Sequence, residues 1–145
     1  SLFGYNDNDT LYGDAGADAL RGGNGDDILI DGWDADRDFM YGQAGADTFT
    51  FLSGASSNYD VITDWNTGDG DKIDISDVLD GHYTHGVDAL SDFVKVIVSS
   101  STTFQVDLDG SGGTYGWSSV VNLQGISSFE TNVDTLVSNG TLLVA

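Results

Sequence analysis

A nine-residue unit recurs through the first third of this 145-residue chain, and its period restricts the fold more than any single residue does. One complete copy runs from Gly22 to Ile30 and reads GGNGDDILI. Copies begin at Gly4 and Gly13 before it, an irregular eleven-residue copy covers Asp31 to Tyr41, and the regular pattern returns at Gly42. A short period of this kind predicts a solenoid in which two units form one coil of about eighteen residues.

Each part of the unit has a physical role. Glycines at the first, second and fourth positions allow a tight turn with positive φ, so that main-chain carbonyls can face a common centre. The last three residues form a short strand whose middle side chain is apolar and points inward. These inward positions are spaced regularly, which argues against a disordered acidic linker: Leu11, Leu20, Leu29 and Phe49.

The sixth position of the unit is aspartate, which adds a hard anionic oxygen to the turn. Oxygen donors in a flexible loop suit calcium, which accepts six to eight of them, better than zinc. The predicted calcium ligands are the repeated aspartates, one later aspartate, and the turn residues around them: Asp9, Asp18, Asp27, Asp36, Asp38, Asp47, Asp60, Asn6, Asp7, Gly13, Ala15, Gly22, Asn24, Asp34, Gly42 and Ala44.

The register of the coils predicts which aspartates share an ion. Asp9 is paired with Asp27 on one side, and Asp18 with the irregular copy on the other. In that copy Asp36 lies nine residues after Asp27, whereas Asp38 lies nine before Asp47, so either aspartate or both are candidates.

Composition agrees with a metal-dependent chain. There are 23 Asp and one Glu, the net charge is −20, and cysteine is absent. The charge excludes nucleic acid and anionic membrane as partners, because both require positive patches. With no disulfide available and many repelling carboxylates, we expect the repeats to be unfolded without calcium.

Beyond residue 50 the chain changes to longer apolar segments. Strands are predicted at 61–65, 72–75, 93–98, 104–108, 120–123 and 141–144, and short helical turns at 76–79, 89–93 and 132–137. The sequence therefore predicts an all-β protein: a parallel β-roll over residues 1–50, then a β-rich C-terminal cap with a few short helices over residues 51–145.

The segment from Asp60 to Ser76, read with the repeats, resembles the end of the β-roll in RTX (repeats-in-toxin) proteins, including the serralysin-type proteases. The runs 106–113, 120–125 and 134–144 resemble the C-terminal target domain of large RTX adhesins exported by type I secretion. The resemblance implies several calcium ions, transient engagement of an exporter through the C-terminus, and folding outside the cell. We also expect a monomeric module without membrane insertion, and no catalysis, since no nucleophile elbow, phosphate loop or paired acid/base constellation is visible. No N-terminal signal peptide is recognised, and the start inside a repeat predicts a longer polypeptide upstream.

Three other constellations have simpler explanations. Asp107, Asp109, Ser111 and Gly112 match the start of an EF-hand loop, but the bidentate Glu is missing and a hairpin turn is the alternative. His82 and His85 fit no zinc motif, and Trp65 is expected in the core rather than in a sugar platform with Trp33 and Trp117. The rival functions are a sugar-binding adhesin module and the tail of a secreted protease or lipase.

Overall fold

Two sheets face each other along the chain, and successive coils add one strand to each. The structure is a computed structural model that describes residues 1–32, 34–53, 59–84, 88–110 and 116–144. Its strands are β1 (Leu2–Asn6), β2 (Thr10–Tyr12), β3 (Ala19–Asn24), β4 (Ile28–Ile30), β5 (Phe39–Ala44), β6 (Thr48–Thr50), β7 (Asp60–Ile62), β8 (Lys72–Asp74), β9 (Val94–Val98), β10 (Thr102–Val106), β11 (Ser118–Leu123) and β12 (Leu142–Leu143). The helices are α1 (Ser76–Leu79) and α2 (Val133–Ser138), with a 3₁₀ turn at Leu90–Asp92.

The coils are built from parallel strands. The first sheet has the order β1-β3-β5-β7-β11-β10-β9, and the second has the order β12-β8-β6-β4-β2. Strands β1, β3, β5 and β7 pair in parallel, as do β2, β4, β6 and β8. A parallel solenoid with two strands per coil is the predicted β-roll, so the fold class is confirmed.

The core is a stack of apolar side chains, because the strands of successive coils turn apolar residues inward in register. In the second sheet the column is Leu11, Leu29, Phe49, Ile73 and Leu142, all in register and buried. In the first sheet Leu20, Met40 and Ile62 form the matching column. The leucines and phenylalanine that revealed the period in the sequence are therefore the core.

The C-terminal block continues both sheets. Strand β11 pairs in parallel with β7, and β9, β10 and β11 form an antiparallel meander beyond it. Strand β12 pairs in parallel with β8. Because β7 and β8 already belong to the stacked sheets, the predicted boundary at residue 50 does not coincide with the end of either sheet.

The predicted elements of the cap are present. The helical turn at 76–79 has its expected bounds, and the one at 132–137 is α2, where the Asn132 side chain accepts a hydrogen bond from Thr135 N–H at 3.0 Å. Trp65 is a core residue, packed 6.2 Å from Phe49 and 5.9 Å from Phe129 between ring centroids. Within the described residues, no helix is long and apolar enough to cross a membrane.

Candidate metal centre

One edge of the coils carries a ladder of four aspartates, here called the first ladder: Asp9, Asp27, Asp47 and Asp71. Each lies just before a strand of the second sheet, so the coil spacing stacks them. The Oδ1 atom of each successive member accepts a hydrogen bond from the main-chain N–H of the one before, at 2.8, 2.9 and 3.2 Å. The carboxylates are thereby held one coil apart, in the order that the register of the sequence predicts for Asp9 and Asp27.

The opposite edge carries the second ladder: Asp18, Asp38 and Asp60. Asp38 Oδ1 accepts from Asp18 N–H at 2.8 Å, and Asp60 Oδ1 accepts from Asp38 N–H at 2.8 Å. Asp36 is exposed, and its N–H donates instead to Asp34 Oδ1 at 2.8 Å within its own turn. Of the two alternatives in the irregular copy, the structure thus places Asp38 in the ladder, because the two extra residues lie in the turn before it, between Asp34 and Asp38.

The second carboxylate oxygens of the first ladder are the strongest sign that it is built to hold a cation. The Oδ2 atoms of Asp9, Asp27 and Asp47 are buried and have no hydrogen-bond partner. A buried carboxylate oxygen without a partner is strongly unfavourable, since burial removes its hydration and nothing replaces it. A hard cation on these atoms would remove that penalty.

The leading glycines of the repeat make room for these oxygens. A Cβ atom at Gly22 would lie 2.2 Å from Asp27 Oδ2, and one at Gly42 would lie 2.1 Å from Asp47 Oδ2. Neither glycine has a positive φ, unlike Gly23 and Gly25. The first glycine of the unit is therefore needed for close approach, whereas the second and fourth supply the left-handed backbone.

Burial also raises the proton affinity of the ladders. Desolvation raises the pKa of Asp60 to about 7 and that of Asp38 and Asp47 to about 6, while main-chain hydrogen bonds oppose the shift. The pKa values of Asp27 and Asp71 are raised for the same reason. Neighbouring aspartates add to the effect, because carboxylates about 4.8 Å apart repel by roughly 3 kcal/mol at an effective dielectric near 20.

The remaining predicted ligands lie either in the C-terminal halves of β1, β3 and β5 or in the turns between strands. Asn6 Oδ1 accepts from Asn24 Nδ2 at 2.8 Å, and Asp34 Oδ2 accepts from Gly16 N–H at 2.5 Å, so these side chains already bridge neighbouring coils. The Ala44 carbonyl accepts from Gly25 N–H at 2.9 Å. Gly22 and Gly42 lie within β3 and β5, whereas Asp7, Gly13 and Ala15 lie between strands. Their role as ligands stays a prediction.

Three buried or bridging aspartates were missed by the sequence reasoning. Asp71 ends the first ladder, since its Oδ2 accepts from Asn66 N–H at 2.8 Å. Asp64 accepts from Gly42 and Gln43 N–H at 3.0 and 3.1 Å. Asp31 is buried, burial raises its pKa to about 7, and repulsion from the nearby carboxylates of Asp60 and Asp38 raises it further. The sequence signal for Asp71 was the Asp-x-apolar triplet at 71–73. It was overlooked because Asp71 lies 24 residues after Asp47, which is longer than the regular coil of about eighteen.

Calcium fits this donor set. Among the residues that the structure describes, no three acidic or histidine side chains converge on one point. A ladder with one carboxylate per coil must complete a coordination shell with main-chain carbonyls and water, and calcium accepts such mixed oxygen shells of six to eight ligands. Zinc would require nitrogen or sulfur donors, which these edges lack.

A parallel β-roll with glycine turns and stacked aspartates defines a class of protein, the RTX-type β-rolls. The chain belongs to the Peptidase M10 serralysin C-terminal family, whose match covers residues 4–133. This family corresponds to the C-terminal, non-catalytic repeat region of serralysin. Membership implies calcium binding and points to a secreted, extracellular protein.

Comparison with solved structures gives a distant likeness. One match is the solution structure of the AlgE6R3 subunit from the Azotobacter vinelandii mannuronan C5-epimerase. It has 24% sequence identity and a TM-score of 0.44, and the match covers 98% of this chain and 81% of that chain. No curated protein sequence matches this chain significantly.

The other sequence candidates lie away from the ladders. Asp107 is buried between β10 and the loop that leads to β11, with an unpartnered Oδ1, while Ser111 and Gly112 lie outside the described residues. His82 is exposed and His85 lies outside the described residues. Trp65 is buried and Lys95 Nζ lies 4.3 Å above the ring of Trp117, so these two rings form no common platform; Trp33 lies outside the described residues.

Proposed function

We propose that this chain is the calcium-dependent folding and type I secretion module at the C-terminus of a larger extracellular RTX protein, an adhesin. The observation that carries the folding part is the set of three buried, unpartnered Oδ2 atoms on the first ladder. In the cytosol calcium is scarce, so the ladders repel and the chain stays unfolded enough to be exported. Outside the cell, calcium binding free energy becomes folding free energy.

The first ladder is proposed to hold calcium through Asp9, Asp27 and Asp47, and the second through Asp18, Asp38 and Asp60. Carbonyls of the glycine turns would complete each shell. Bound calcium would supply positive charge between the stacked carboxylates. The chain's own residues position the ligand oxygens and exclude water. The turns hold the oxygens in place, and the apolar columns exclude water from between the sheets.

The C-terminal segment 131–145 is proposed as the export signal. An exporter must recognise its substrate before calcium has folded it, so the signal has to be readable in an unfolded chain. In the folded chain the main apolar side chains of this segment are covered: Val133, Leu136 and Leu142 are buried, and β12 is paired with β8. Folding outside the cell would therefore bury the apolar residues of the signal. The exporter could then no longer recognise the folded chain, so export would run in one direction.

The export proposal is tested by fusing the whole chain to a slow-folding passenger in cells that carry a matched exporter. The parent fusion should appear outside the cells, and deletion of residues 131–145 should leave it inside. The matched control is the double variant Asp27→Ala/Asp47→Ala, which should be exported as well as the parent but fail to fold in external calcium. Efficient export of the deletion variant would overturn the assignment. Residues 1–50 alone should not direct export.

The second candidate is the C-terminal region of a secreted protease, and the family match favours it. In that case a catalytic domain precedes the repeats. The upstream coding sequence distinguishes the two: tandem extender domains indicate an adhesin, and a His-Glu-x-x-His zinc motif indicates a protease. We propose a monomer with no catalytic activity of its own in either case.

A further inference from the structure

The outer face of the first sheet combines aromatic rings with both arginines of the chain. We call it the arginine–aromatic face and define it by Phe3, Tyr5, Arg21, Arg37, Tyr41 and Tyr59. Phe3, Arg21 and Tyr41 are neighbours in register on β1, β3 and β5. The outward positions of these strands carry no carboxylate, although the chain has 24 acidic residues. Such an arrangement is unusual in a protein of net charge −20.

The arginines are held by rings rather than by carboxylates. The Arg21 guanidinium carbon lies 5.3 Å from the Phe3 centroid and 4.5 Å from that of Tyr41. Arg37 lies 4.6 Å from the Tyr59 centroid, and its Nε donates to the Tyr59 carbonyl at 3.1 Å. Among the described residues, the single ion pair joins the Ser1 ammonium to Asp18. Stacked guanidinium groups keep their outer N–H donors available to a ligand.

The rings of this face are open to solvent. Phe3 is 54% and Tyr5 71% exposed, and their rings stack 6.0 Å apart at an interplanar angle of 27°. Beside them lies a cavity of about 220 Å³, and Gly22 and Gly23 are among the residues that line it. Its walls add one guanidinium and two side-chain amides to the rings, from Arg21, Asn24 and Gln43. The cavity is smaller than the roughly 300 to 1,000 Å³ of most small-molecule sites, so it suits a single ring of a longer ligand.

We infer that the arginine–aromatic face binds an acidic polysaccharide, with one uronate ring seated in the cavity. The apolar face of a sugar ring stacks on Phe3 and Tyr5, the Arg21 fork pairs with the carboxylate, and the amides bind hydroxyls. Charge decides against a neutral glycan, since it would leave the Arg21 guanidinium without a carboxylate on three neighbouring strands, β1, β3 and β5, that carry none. Nucleic acid is disfavoured because a phosphate backbone requires a row of cations, whereas one uronate ring in the cavity needs only the single guanidinium of Arg21.

The test titrates trigalacturonate into the calcium-loaded chain by calorimetry, with free calcium held equal in both solutions because uronates bind calcium. Binding should be lost or weakened at least tenfold for the fully methyl-esterified trisaccharide, which keeps the rings and removes the charges. It should fall by a similar factor for Tyr5→Ala and for Arg21→Gln.

Two matched variants control for a general effect. Tyr12→Ala removes an exposed ring from the other sheet, and Lys95→Gln removes a cation stacked on a ring in the cap, so both should bind like the parent. Calcium-induced circular dichroism shows that each variant folds. Absence of binding at millimolar trigalacturonate, or equal binding by the methyl ester, would overturn the proposal. Self-association that Tyr5→Ala abolishes would also overturn it and would make this face an interface between copies.

Discussion

The repeat coils and the C-terminal cap share the same two sheets but are stabilised in different ways. Among the described residues, the first 50 hold five buried hydrophobic side chains and four buried aspartates. The rest of the chain holds nineteen buried hydrophobic side chains and three buried aspartates. A strand triplet in a coil contributes one apolar residue to the core, whereas the cap adds aromatic pairs such as Phe104 and Phe129, 5.7 Å apart.

The comparison teaches that one fold can contain a metal-dependent part and an apolar part. Burying one apolar side chain yields roughly 1.5 to 3 kcal/mol, while ordering each residue opposes folding by a similar amount. We therefore expect coils with so few apolar residues per strand and with stacked ionised carboxylates to be unstable at neutral pH without a bound cation. The cap can supply a core of its own, and it also covers the last coil.

The largest effect is expected from removing calcium. Chelation should unfold the coils because the ladders then carry uncompensated buried charge, while the cap should retain more protection. Hydrogen exchange resolved by peptide would measure this, comparing residues 10–50 with residues 94–123. Magnesium should restore protection poorly, because its tight octahedron does not suit carbonyl turns. Equal protection of the coils with and without calcium would abolish the distinction between the two regions.

Acid should partly replace calcium in the coils. In the folded chain the pKa values of Asp31 and Asp60 are raised to about 7, above their ordinary value of 3.8, so the folded state binds more protons. Stability of the metal-free coils is therefore greatest below about pH 4 and is lost as the pH rises through about 7. In chelator, circular dichroism should show more β-structure at pH 5 than at pH 8. Light scattering must exclude aggregation, and Asp31→Asn/Asp60→Asn should flatten the profile.

A single ladder aspartate should matter more than a buried aspartate of the cap. Asp27 joins the turns of Asp9 and Asp47, so Asp27→Ala should raise the calcium midpoint of folding about tenfold, or about 1.4 kcal/mol. Asp107→Ala should produce a smaller shift. A calcium titration followed by circular dichroism measures both midpoints, and equal shifts would mean that the ladder register is wrong.

The irregular copy offers a matched pair within one turn. Asp38→Asn should weaken calcium-dependent folding, since Asp38 accepts from Asp18 N–H and faces Gly13, whereas the exposed Asp36→Asn should change it little. Both substitutions remove one charge and keep the shape. A larger effect at Asp36 would show that the turn between Asp34 and Asp38, and not the ladder, holds the ion.

The smallest effect is expected from relieving backbone strain in a coil. Gln43 has φ 73°, in register with Gly23 at φ 125°. Gln43→Gly should stabilise the calcium-loaded chain by about 0.5 to 1 kcal/mol, because glycine adopts this conformation without steric opposition. Thermal unfolding measures the gain. Gly23→Ala, which would bring a Cβ 2.1 Å from the Tyr5 carbonyl, should destabilise the same turn.

Much of the fold could be predicted because its signal is local and repeated. The leucine period identified the core columns. The aspartate period identified the five ladder members that lie in the repeats, with Asp38 as one of two alternatives. Of the two members further along the chain, Asp60 was recognised and Asp71 was not. The coil that contains Asp71 is longer than its neighbours, and a period search fails where the spacing changes. The continuation of the sheets past residue 50 was recognised only for the segment from Asp60 to Ser76, since composition changes after residue 50 while strand pairing does not.

The sequence by itself determined the coil, the inward columns and the chemistry of the turns, because each depends on residue type at a short, fixed spacing. Only the tertiary structure placed Asp38 rather than Asp36 in the second ladder. It also decided that Asp31 is buried near Asp60 and that Arg21 lies between two rings from different coils. These features depend on which residues the coils place side by side, and inserted residues change that placement without leaving a periodic trace. Stacking, rather than spacing, therefore determines where charge is buried in this protein.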